Sequence, residues 1–307
     1  MFLHILVPLN PNPATAIDFC FGSHKLVDMV LAIFALFVFV SPVPATPTAT
    51  DTSQLDQGYR DMYNLDFNGA HKAFGEFEQQ QPADPFGPAS QAAAYLFSEF
   101  ERLKVLRSEF FAEDKGFLGA PKLKADPNVK AQFEKALNRS HQLSDQMFRD
   151  GKTPERAQFA SIVCTALHAD YLAMIEKENW QALNEIKDAR THAEALIAKH
   201  PEMKDSYLSV GVENYLLSQK GAPVRMFLRL TGAQTDKDTG IQKLKIVAAE
   251  GHYFKPYAKI LLAIAAVRDK NRAAAGLLMA DLSHEFPGNG LFKDEVRKLS
   301  SSCTADC

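Results

Sequence analysis

Apolar residues recur along this chain at intervals of three and four. Leu96, Phe100, Leu103, Leu106 and Phe110 line one face of a helix expected over 88–112, because positions three and four apart stack on one side of a 3.6-residue turn. Val129, Phe133, Ala136, Leu143 and Met147 do the same after Asp126-Pro127. Thr153-Pro154-Glu155-Arg156 has the form of an N-cap with proline at the first helical position, and Phe159, Val163, Leu167, Tyr171 and Met174 follow it. Ile186, Ala189, Ala193 and Leu196 carry the next helix to His200-Pro201. Further helices are expected at 203–219, 236–250, 255–269, 272–286 and 290–299. No stretch alternates apolar and polar residues over the length of a strand, so the chain is expected to be all-α.

Small residues and prolines punctuate these helices at fixed offsets. Gly58, Phe67, Ala70, Phe74 and Pro82 fall at positions 8, 17, 20, 24 and 32 of a unit of about 34 residues. Ala263, Ala275, Met279, Leu282 and Pro287 fall at positions 8, 20, 24, 27 and 32 of another. Such spacing places small side chains where two helix backbones cross and ends the second helix with proline. Asn179-Trp180 is similar to the turn of a third unit, although the helix after it runs too long. On these residues the chain resembles the tetratricopeptide-repeat superfamily over most of 51–300. The resemblance implies a TPR-like α-solenoid of four or five antiparallel helix pairs, each burying its apolar face on the next. A narrower resemblance covers 203–290. There Pro223, Gly232, Asp236, Asp238 and Gly240 are similar in placement to the C-terminal half of the inclusion-body-clearance group of these proteins. Gly211 and Gly240 lie farther apart than in a standard unit, so an insertion is expected between their helices.

The N-terminus reads as an address. Met29–Val40 is an unbroken apolar run, followed by Ser41-Pro42-Val43-Pro44-Ala45. It is too short to cross ~30 Å of hydrocarbon as a helix and fits the apolar region of a secretory signal, with Val43 and Ala45 as the small residues before a cleavage point. The expected organisation is a signal peptide or anchor at 1–45, a linker at 46–53, a helical domain at 54–300 and a flexible tail at 301–307. Export to the periplasm or outside the cell follows from cleavage near Ala45. Retention of the segment would instead leave the chain membrane-anchored through Met29–Val40.

Charge and cysteine content narrow the classes. The chain is 46% apolar and 23% charged with a formal net charge of −3, a balance that offers no basic surface for nucleic acid. Cys303 and Cys307 enclose a short polar loop that an oxidising compartment would allow to close. Cys164 sits among Ile162, Val163 and Leu167 and reads as a core residue.

The chemistry of catalysis was sought along the whole chain. The nine histidines form no helical metal pair with a third ligand, and no phosphate loop or Gly-X-Ser-X-Gly stands in the sequence. His168-Ala169-Asp170 and Glu213-Asn214 are polar spots on apolar helices and read as satisfied contacts. Glu99 with Arg102 reads as a surface pair at i, i+3. No cofactor or metal is expected, and the chain is read as a non-catalytic scaffold for a protein or peptide partner. The concave wall of a solenoid is lined mainly by first helices, which makes Tyr59, Met62, Tyr63, Tyr207, Asn214, Tyr215, Tyr257, Ile264 and Arg268 the groove candidates. Aromatic groups with a polar tip suit peptide recognition. The insertion, 220–235, offers Arg225, Phe227, Leu228 and Arg229 as a second contact, either to a partner or to a membrane surface. Two other readings stay open: a membrane-anchored or lipid-contacting envelope protein, and a hydrolase that uses the groove as a substrate cleft.

Overall fold

A computed structural model describes residues 52–106, 122–151 and 154–301. Among them are twelve α-helices and no strand. They are α1 (Ser53–Tyr63), α2 (Phe67–Gln80), α3 (Phe86–Arg102), α4 (Pro127–Asp150), α5 (Pro154–Tyr171), α6 (Asn179–Lys199), α7 (Tyr207–Ser218), α8 (Ala222–Leu230), α9 (Lys237–Glu250), α10 (Lys255–Arg268), α11 (Arg272–Glu285) and α12 (Gly290–Ser301). The leader at 1–45, the linker as far as Asp51, and Cys303 and Cys307 in the tail lie outside the described residues.

The helices pack in adjacent pairs: α1 with α2, α3 with α4, α5 with α6, α7 with α9, and α10 with α11. Links between partners run in opposite senses along the two helices. His168 meets Glu185 at 2.8 Å while Gln158 reaches the carbonyl of His192 at 3.1 Å. Ser140, midway along α4, likewise donates to the Pro85 carbonyl just before α3, and the Asp126 amide just before α4 donates to Glu99 near the end of α3. The small residues expected at the crossings are there. A Cβ on Gly58 would stand 2.2 Å from the Phe74 ring, and one on Gly240 would stand 2.5 Å from the Tyr215 amide nitrogen. Ala70, Ala263 and Ala275 are buried.

One backbone device closes four of the five first helices. Leu65, Lys104, Lys177 and Lys270 adopt positive φ, between 60° and 65°, just past α1, α3, α5 and α10. In three of them the next amide bonds a carbonyl five residues back: Asp66 to Asp61, Val105 to Phe100 and Asn271 to Ala266, the pattern of a Schellman stop. Residues with a Cβ pay for this conformation with roughly 1–2 kcal/mol of strain. In return the chain reverses at once, and Asp66 and Asn271 cap the following helices by accepting from the Gly69 and Ala274 amides. This stop corrects one expectation. α3 ends at Arg102 and does not continue to 112, because Lys104 turns the backbone out of the helix; Phe110 lies outside the described residues.

The third pair obeys the same rule with one residue added. α5 runs into a π-helical turn, Leu172–Glu176, and the Glu178 amide bonds the Leu172 carbonyl six residues back. Counting five residues on from the positive-φ position gives Ala70, Ala182 and Ala275, all buried. Pro154–Glu176 is long and apolar enough to cross a membrane, but most of it is buried within this fold.

The last helices fold back onto the first. Tyr63 donates to the Tyr253 carbonyl at 3.0 Å, Asn289 donates to the Tyr63 carbonyl at 2.9 Å, and the Gly288 amide donates to Asn64 at 2.8 Å. Asp205 holds the approach segment by accepting from the amides of His252, Tyr253 and Phe254. The rings of Tyr59, Phe86 and Tyr253 then share one cluster, and the main core is continuous from Leu55 to Phe292.

Candidate interaction surface

Four of the nine groove candidates, Tyr59, Met62, Tyr63 and Tyr257, are drawn into this core. Tyr59 is 3% exposed, with its hydroxyl 3.2 Å from Ser90 and its ring against Phe74, Phe86 and Tyr253. Met62 and Tyr63 are buried beside it, Tyr63 with its ring on Phe286. Tyr257 is partly buried, edge-on to Phe97 across the interior. Tyr215 belongs to a separate cluster with Leu244 and Ala265, and Tyr207 to another with Val247 and Ala258. Ile264 and Arg268 are half-buried on α10. Loss of hydration pushes the phenols of Tyr59, Tyr63 and Tyr257 well above their ordinary value. The structure therefore assembles Tyr59, Met62, Tyr63 and Tyr257 in one core and leaves Tyr207 and Tyr215 in two others. They do not line one open wall: Tyr59 and Tyr63 pack on Tyr253 and Phe286 of the closing segments, while Tyr207 and Tyr215 fill clusters of their own.

The polar spots turn out to be fasteners. Glu213 is fully buried on α7 and accepts from Arg190 of α6 at 2.6 Å and from the Gln234 amide at 3.0 Å. Arg190 also donates to Glu194 and to the Gly232 carbonyl. Asn214 donates to Gln234 and accepts from the Asp236 amide. Together they pin the return leg of the insertion to the body. Desolvation raises the Glu213 carboxyl above its usual range, although Arg190 and the Gln234 amide oppose that shift. Glu99, expected at the surface, is also buried: it takes a bidentate bond from Arg102 and accepts from the Asp126 amide, fixing where α4 starts. Cys164 is buried, and its thiol is pushed up to about 12 by loss of hydration.

With its base pinned, the insertion forms α8, and α8 turns its apolar face outward. Met226 is 68% exposed, Leu230 78%, Phe227 50% and Val224 49%. At 100° per residue these four side chains span one continuous arc. Leu228 alone among the long apolar groups of α8 packs inward, against Leu217 and Ala233. The arginines lie on the side of the helix opposite that arc, Arg225 half-buried and Arg229 exposed. Arg225 donates to the carbonyls of Ser218 and Lys220, and Arg229 to the Thr235 hydroxyl at 2.6 Å. Trp180, the only tryptophan of the chain, stands 66% exposed at the start of α6, edge-on to Phe227 at 6.1 Å. Of the four insertion candidates, Phe227 is on the outer face, Leu228 is its inward anchor, and Arg225 and Arg229 bond the chain's own backbone and Thr235. Leu230 stood among the apolar residues of the insertion in the sequence; Met226 and Trp180 were missed as parts of this face. The signal was present in the pattern, since α8 is strongly amphipathic, but amphipathicity does not say which face meets the protein.

Among the described residues no group of three His, Cys, Asp or Glu is arranged to hold a metal ion. A shallow recess beside α8 is lined by Asn214, Arg229, Gln234 and Thr235, the groups already bonded to one another in pinning the insertion. No family model, curated protein or solved structure matches this chain.

Proposed function

We propose that this chain is a non-catalytic helical scaffold that docks through the outer face of α8 and Trp180. The observation that carries the reading is the eversion of α8: four large apolar side chains and an indole face water, while the arginines on the other side of the helix bond the chain's own Lys220 carbonyl and Thr235 hydroxyl. Exposed apolar residues scattered singly need no explanation, but a contiguous set of this kind marks an interaction site. The pinning network of Arg190, Glu213 and Asn214 supports it, because it holds an otherwise unsupported insertion in one geometry. The partner contact expected in a concave groove is thereby relocated to the insertion.

The test is the double variant Met226→Asp and Leu230→Asp in the full chain. Loss of docking with an unchanged melting curve supports the proposal. Docking that survives the double variant removes α8 as the contact.

A further inference from the structure

Resting on that reading, the geometry points to an anionic lipid surface as what α8 docks on. Three observations converge. The outer face is formed by one helix and one indole, on which Met226, Phe227, Leu230 and Trp180 each leave half or more of their surface exposed. A fluid apolar phase conforms to such a face. Charge is complementary: between Glu213 and Asp236 the chain carries Lys220, Arg225 and Arg229 and no acid, within a protein of net charge −3. At 100° per residue Arg225 and Arg229 lie on the side of α8 opposite the apolar arc, where they bond the Lys220 carbonyl and the Thr235 hydroxyl. Amphipathic helices that lie in a membrane interface combine large apolar groups on one side with Lys and Arg on the other, and Trp favours the headgroup boundary. Arginine stems span that boundary while the charge stays in water or on phosphate.

The single tryptophan makes the test specific to this face. It reports on α8 even if another part of the full chain also binds lipid. Full-length protein is mixed with phosphatidylcholine vesicles, with or without a fraction of phosphatidylglycerol, and Trp180 emission is followed. The expected result is a blue shift with the anionic vesicles, quenching by brominated acyl chains, and reversal as salt is raised. Each of Met226→Asp and Leu230→Asp should lower partition about tenfold or more, from the apolar area withdrawn, with the helical melting curve unchanged. An equal shift with pure phosphatidylcholine overturns the anionic preference. A blue shift that grows with protein concentration in the absence of vesicles assigns the face to a second copy and overturns the lipid assignment. Emission already blue-shifted in dilute, lipid-free protein means that the chain's own apolar segment covers the face, and also overturns it. If vesicles leave Trp180 unchanged while the double variant abolishes capture of a protein partner, the lipid inference fails and the scaffold proposal stands. If vesicles and protein partners alike are indifferent to the double variant, both fail.

Discussion

Glu213 and Arg190 show what a buried polar pair does here. A carboxylate and a guanidinium lose hydration when buried, so removing one partner leaves the other uncompensated, at a cost of about 3–5 kcal/mol. Arg190→Met is therefore expected to lower stability by about 3 kcal/mol in urea unfolding and to speed exchange of the Gln234 amide, which Glu213 accepts. Asp170 has a different consequence. Loss of hydration raises its carboxyl from 3.8 to about 7, so the folded chain binds a proton that the unfolded chain has released, and stability falls as pH rises through that window. His168 acts with the same sign. Its hydrogen bond to Glu185 raises its pKa, so its stabilisation is complete below 6.5 and is lost as pH rises through the folded value. Asp170→Asn should thus melt higher than wild type above about pH 7, converge with it toward about pH 4, and keep the shallower dependence that His168 supplies.

Helix α8 behaves as a surface element fixed at its two ends. Its outer side chains touch little of the body, so Met226→Asp and Leu230→Asp together should change stability by no more than about 0.5 kcal/mol each. Leu228→Ala should cost about 2 kcal/mol, measured in the same urea titration, because Leu228 is the group that anchors the helix against Leu217 and Ala233. The hairpins are fixed by a different feature, the positive-φ turn. Leu65, Lys104, Lys177 and Lys270 lie outside the residue types that usually mark such turns, so their sequence signal is weak. What makes them legible afterwards is the company they keep: a capping Asp or Asn one residue on in α2 and α11, and a buried alanine five residues on in α2, α6 and α11.

Closure decides how the whole helical body behaves. An open array of helix pairs is held by nearest neighbours only and unfolds in segments. Here the first pair is also bonded to the last, through Tyr63, Asn64, Asn289 and the segment that Asp205 clamps. Residues 52–301 are therefore expected to melt in one transition. Tyr63→Phe should remove about 1 kcal/mol by deleting its bond to the Tyr253 carbonyl. Asp205→Ala leaves the amides of 252–254 without their acceptor; it is expected to split calorimetric melting into separate steps.

The helical class, the position of most helices and the crossings at Gly58, Ala70, Gly240, Ala263 and Ala275 were legible in the sequence, because helix periodicity and the need for small residues at close crossings are local constraints written at fixed spacings. So was the insertion between Gly211 and Gly240. The end of α3 and the π turn after α5 were not, since each depends on one backbone conformation that many residue types tolerate. The candidate site was half legible: the segment 220–235 stood out, but the choice of its outer residues did not. Whether an amphipathic helix shows its apolar or its charged face to water depends on which carbonyls lie within reach of Arg225 and Arg229, and those are brought there by the folded chain. The fate of Tyr59 and Tyr63 was decided in the same way. An aromatic residue on a first helix serves equally well as the lining of a groove or the filling of a core, and only the return of the segments around Tyr253 and Phe286, hundreds of residues away in some directions and a few ångströms in space, made it the second.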